Sequence, residues 1–198
     1  MKQKNTGRNS TKFLVELAVL TALELMLEMT GLGYIHTGTL EFTIMQVPVI
    51  VGAIVLGPMA GLFLGTVFGL TSFWQCFGKS AFGVMLMSIN PFATFLTCVV
   101  PRVLMGLLCG LLFRWLGREK KSALKCGVVG LSGALLNTIL FMGLLVAFFG
   151  RSEYLQSMGS DNVLKFIVTM VGVQGVLEAV ICCVVSASVS YALLKVRK

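Results

Sequence analysis

Between Gly38 and Gly83 the chain carries one glutamate, one lysine and no other charge. A stretch that apolar belongs in lipid. The rest of the chain agrees, since only 12% of its residues are charged, against roughly 25% in soluble domains. The mean hydropathy is +0.93. A helix needs about 20 apolar residues to cross a bilayer, so 198 residues accommodate about six spans with short loops. No room remains for a separate soluble domain, and residues 1–198 read as one six-helix membrane domain. The apolar runs are continuous rather than alternating, which disfavours a membrane barrel. The expected fold class is all-α integral membrane.

The net charge of +8 raises the possibility of nucleic acid, and its distribution removes it. Twelve of the sixteen lysines and arginines sit at 2, 4, 8 and 12, at 114, 118, 120, 121 and 125, and at 195, 197 and 198. These clusters flank apolar runs and read as cytoplasmic by the positive-inside rule. Both termini are therefore expected in the cytoplasm, in a multi-pass protein of the bacterial plasma membrane. The six cysteines form no zinc or disulfide pattern. Five lie in or beside apolar runs as small hydrophobes, and Cys76, nearest the outer face, has no obvious bridging partner. The basic-then-apolar start is expected to be a retained first helix rather than a cleaved leader, because Glu16, Glu24 and Glu28 interrupt it and further spans follow.

Helix 1 is expected over about 12–29, followed by an outer loop, "TGLGYIHTGTLE". Helix 2 (about 42–56) and helix 3 (about 59–73) meet at an inner Gly57-Pro58 turn. Fifteen residues reach only about 22 Å, so these two helices must be tilted, extended or covered by protein; a re-entrant hairpin is the alternative. Residues 74–90 are too apolar for a plain solvated loop. Helix 4 begins at Asn90-Pro91, with proline at the first turn, and runs to about Trp115. Helix 5 covers about 124–149. "RSEYLQSMGSDN" is the most polar outer loop, and helix 6 covers about 163–194.

Polar groups inside a membrane are functional candidates by default. Arg102 stands eleven residues in from Pro91, Asn137 twelve residues before Phe149, and Gln174 eleven residues after Val163. A cation and two amides thus share one depth on three consecutive helices, as the floor of a pocket open outward would require. Arg102 suits a carboxylate because its guanidinium is a planar fork. The bland reading pairs Arg102 with Glu178 and leaves the amides as glue between helices. Trp74, Gln75, Phe77, Lys79 and Asn90, with Tyr34, His36, Thr37 and Thr39 of the first loop, would wall the pocket. Glu24 and Glu28 suit a structural or loop-anchoring role. No metal cluster, nucleotide-binding loop or catalytic grouping is evident, so neither an enzyme nor a cofactor is expected. Ala18 and Ala22, four apart on helix 1, let another helix approach closely. The repeated glycines (Gly61, Gly65, Gly69; Gly127, Gly130, Gly133) report close internal packing.

Six short-looped helices, Ala18-x-x-x-Ala22 and a pocket from helices 4 to 6 with loop 1 resemble the substrate-binding (S) components of energy-coupling factor vitamin transporters. "MQVPVIVGAIVLGPMAGLFLGTVFGLTSF" is the most specific match and looks like the pantothenate branch; "NPF" followed by "PRVLMGLLCGLL" is also similar. The resemblance implies a high-affinity vitamin binder without its own ATPase. Through Ala18 and Ala22 it would dock on a membrane coupling protein carried by two cytosolic ATPases. Related branches bind riboflavin, folate, pyridoxine or queuosine precursors. A stand-alone secondary transporter is the competing class. It would need acidic coupling residues at mid-membrane, and Glu178 is the one good candidate.

Overall fold

The computed structural model describes residues 6–31, 33–37, 40–117, 122–150 and 163–196. Along them run α1 (Thr6–Thr30), β1 (Tyr34–Thr37), β2 (Leu40–Thr43), α2 (Gln46–Val55), α3 (Pro58–Gln75), α4 (Ala81–Ile89), α5 (Pro91–Trp115), α6 (Ala123–Phe149) and α7 (Val163–Val196). Helices α1, α2, α3, α5, α6 and α7 pass back and forth between two ends of a bundle. The end with β1 and β2 is called the hairpin end here, and the end with Gly57 the turn end. Among the described residues, three segments are long and apolar enough to cross a membrane: Pro91–Trp115, Ala123–Phe149 and Gly175–Val196.

Two segments differ from the sequence reading. The first loop is not irregular: β1 and β2 pair antiparallel, from Tyr34 opposite Thr43 to Thr37 opposite Leu40. That hairpin takes the residues assigned to the start of helix 2, so α2 begins at Gln46 rather than near 42. Second, residues 74–90, read as too apolar for a plain solvated loop, hold a helix that the sequence reading did not place. α3 continues to Gln75, and α4 then forms a short helix capped by Ser80, whose Oγ accepts from the Gly83 N–H at 3.3 Å. The apolarity of this segment comes from α4, whose Leu86 packs with Ala93, Leu145 and Phe149.

The short helices solve their length problem by being covered. α2 has ten residues, about 15 Å by helical rise, and all ten are buried. It is a central rod sheathed by the longer helices. At Gly57 the backbone takes φ +108°, a region that favours glycine, and Pro58 opens α3 at the position where a missing N–H does no harm.

Glycines set the helix spacing. A Cβ on Gly61 would collide with the Gly106 carbonyl, one on Gly65 with the Arg102 carbonyl, and one on Gly69 would meet Val99 Cα at 2.8 Å. One glycine stripe of α3 therefore lies directly on the backbone of α5. On α6, Gly130 faces the Cys182 carbonyl and Gly133 faces Cys109 and Ile50. At the turn end Lys125 donates to the Leu116 and Gly117 carbonyls at 2.5 and 3.0 Å, closing the end of α5.

Cys76 does have a neighbour. It ends α3, and its sulfur lies 3.8 Å from that of Cys98 on α5. Twenty-two residues separate them in sequence, and the antiparallel packing of α3 on α5 brings them together.

Candidate functional site

Arg102 is aimed by the residue before it. Pro101 lies inside α5 and has no N–H, so the carbonyl of Thr97, four residues earlier, loses its helical donor. Arg102 Nη1 donates to that carbonyl at 3.0 Å. The guanidinium consequently folds back toward the hairpin end, the direction helical side chains favour. Its Cζ lies over the Phe141 ring, 4.7 Å from the ring centre, and over the Phe68 ring at 5.5 Å, within cation–π range. The fork is thus bounded by two rings and held from behind by a carbonyl.

Asn137 is one turn from Phe141 on the same face of α6 and is buried. Its Oδ1 has no hydrogen-bond partner among the described residues. On α7 the Cys182 carbonyl lies against Gly130; about two turns toward the hairpin end from those contacts stand Asn137 on α6 and Gln174 on α7. Cys109 on α5 meets Gly133 and Val129, and two turns further toward that end stands Arg102. Helix register therefore brings the backbones of Arg102, Asn137 and Gln174 to one level. The side chains of Gln174 and Tyr34 lie outside the described ones, as do Thr39 and residues 151–162.

The remaining residues expected to wall the pocket separate into two kinds. Gln75 Nε2 donates to Glu28 Oε1 at 2.5 Å, which ties the end of α3 to α1. Asn90 Oδ1 accepts from the Phe92 and Ala93 N–H groups, each at 3.1 Å, and so caps α5. Both have structural employment. Trp74 and Phe77 are instead exposed, and their rings tilt together with centres 6.0 Å apart. Ala18 and Ala22 lie on an exposed face of α1 with Leu14, Val15, Val19 and Met26.

Glu178 has a role that periodicity did not reveal. Its Oε1 accepts from the Thr43 N–H at 2.9 Å and its Oε2 from Gln46 Nε2 at 3.1 Å. The acid therefore clasps the foot of the hairpin and the first residue of α2. Gln46 is fully buried, with Oε1 lacking a partner among the described residues. Sequence reasoning passed over it, although a lone amide opening an apolar run was a usable signal. Phe68 and Phe141 were also missed, and no signal marks them among fourteen phenylalanines. Glu24 is fully buried, and neither carboxylate oxygen has a hydrogen-bond partner among the described residues.

Residues 12–190 match the family described as "ECF transporter, substrate-specific component". The chain belongs to that family. Among curated proteins, this S component is 28% identical over 201 residues to "Pantothenate transporter PanT" of Leuconostoc mesenteroides subsp. mesenteroides, covering 97% of each chain. It is 30% identical over 120 residues to "Pantothenic acid transporter PanT" of Lactococcus lactis subsp. cremoris, covering 56% of this chain and 59% of the relative. The S component is a multi-pass protein of the bacterial cell membrane. Its family points to transport rather than catalysis.

Proposed function

We propose that this S component binds pantothenate at the Arg102–Asn137–Gln174 level and passes it to an energy-coupling module for ATP-driven uptake. The hairpin end faces outward, and both termini lie in the cytoplasm. The observation that carries the ligand is the end-to-end likeness to a protein named a pantothenate transporter. The chemistry of the level is compatible with it. Pantothenate has one carboxylate, one amide, two hydroxyls and a gem-dimethyl group. Arg102 takes the carboxylate with its fork, while Asn137, whose buried Oδ1 lacks a partner among the described residues, and Gln174 take the amide and hydroxyls. Trp74 and Tyr34 belong to the walls, and Gln75 and Asn90 hold the rim in place. The coupling protein meets the Ala18 and Ala22 face of α1, and two cytosolic ATPases supply the energy.

Competition binding to the purified chain with pantothenate, riboflavin, folate and pyridoxine tests this. Tight pantothenate binding that the other three do not displace is the expected result. Riboflavin binding beside undetectable pantothenate binding would keep the family and overturn the ligand.

A further inference from the structure

Cys76 and Cys98 are a pair that the transport reading leaves unused. Both are buried, and their sulfurs stand 3.8 Å apart with a hydrogen bond between them. They join different helices: Cys76 ends α3, and Cys98 lies one turn before Arg102 on α5. A disulfide needs the sulfurs at about 2.05 Å, so the gap must close by a little under 2 Å. The surroundings permit that movement on the Cys76 side. Cys76 sits at the last turn of its helix, followed two residues later by Gly78 with φ +136°. Gly83 packs against Cys76, since a Cβ there would meet the Cys76 sulfur at 2.7 Å. All six cysteines are free thiols, and Cys109, Cys126 and Cys182 are buried deeper in the helix contacts than Cys76 and Cys98.

We infer that Cys76 and Cys98 form a reversible disulfide that staples the end of α3 to α5 at the hairpin end. A low-molecular-weight disulfide serves as oxidant. The thiolate of one cysteine attacks it, forming a mixed disulfide and releasing one small thiol. The second cysteine, as thiolate, attacks the protein sulfur of that mixed disulfide and releases the other small thiol. One disulfide is reduced as one forms, and the two cysteine protons end on the two released thiols. Gln75, beside Cys76, already donates to Glu28 on α1, so the staple would fasten α1, α3 and α5 together at one level. Disulfides persist on the oxidising side of a membrane, where the proposed orientation puts this end. The crosslink itself does not depend on that orientation or on the ligand.

The test uses the full chain in detergent, incubated with oxidised glutathione and then alkylated. Peptide mass spectrometry should find a Cys76–Cys98 crosslink in place of two alkylated thiols, and dithiothreitol should return both thiols. Oxidation should also raise the thermal midpoint by a few degrees, because a loop closed in the unfolded chain loses entropy; C76S and C98S proteins should show no such rise. Full alkylation of both cysteines after oxidation, or an oxidised midpoint equally raised in C76S, would overturn the staple.

Discussion

A proline supplies no N–H, so at Pro101 the Thr97 carbonyl turns to the neighbouring guanidinium instead, at 3.0 Å. Arg102 is thereby pointed by a backbone vacancy. Pro101→Ala returns an N–H to that carbonyl and releases the guanidinium. Its expected signature is pantothenate affinity lowered several-fold while the thermal midpoint holds or rises. Arg102→Lys replaces the fork by a point charge and should weaken binding about tenfold, or ~1.4 kcal/mol. Arg102→Met should weaken it further, to about a hundredfold, since charge-assisted hydrogen bonds contribute about 1.5–3 kcal/mol. Titration calorimetry on the three proteins reads the affinities, and a melting curve of the Pro101→Ala protein reads its midpoint. Unchanged affinity in the Lys and Met proteins would leave Arg102 as a brace between Phe141 and the Thr97 carbonyl.

Among elements, the contact of α3 with α5 governs the site, because Gly65 lies on the Arg102 carbonyl and 3.1 Å from Val103 Cα once a Cβ is added. Gly65→Ala must push the two helices apart against backbone atoms that cannot rotate away. A destabilisation of about 1–3 kcal/mol is expected, as for other overpacked sites, with ligand affinity falling because Arg102 moves with its backbone. Gly143→Ala is the control: nothing lies within 4 Å of its added Cβ, and alanine is the better helix former by up to about 1 kcal/mol. Melting curves should therefore separate the two changes in opposite directions. α1 offers a different element-level test. Ala18 and Ala22 face outward, so replacing both with Trp should leave pantothenate binding by the isolated chain unchanged and abolish uptake in cells. Uptake that survives the double replacement would mean that α1 docks by another face.

At the scale of the whole molecule the acidic groups decide between a binder and a pump. A secondary transporter needs acids free to exchange a coupling ion. Glu178 instead accepts from Thr43 and Gln46, and Glu28 accepts from Gln75; both serve as ties between elements. Liposomes holding only this chain should accordingly show no concentrative pantothenate uptake under a proton or sodium gradient. Gradient-driven accumulation would transfer the protein to the other class and would direct attention to Glu24.

What could be read along the chain was whatever depends on neighbours in sequence. Apolar run length gave the membrane class, and the clustered cations gave the expected orientation. Gly57-Pro58 marked its turn and Asn90-Pro91 its helix start, because a positive φ and a cap are set within a few residues. Family-specific stretches such as "MQVPVIVGAIVLGP" did the rest. The tertiary structure alone decided which apolar helix is hidden. Lipid and protein interior are both apolar, so nothing in the composition of α2 distinguishes a sheathed rod from a lipid-facing span. It alone decided polar partnership too: Glu178 meets the Thr43 N–H across 135 positions, and Cys76 meets Cys98 through the register of α3 on α5. Such meetings are fixed by how helices slide and rotate against one another, and that depends on the whole set of glycine contacts at once.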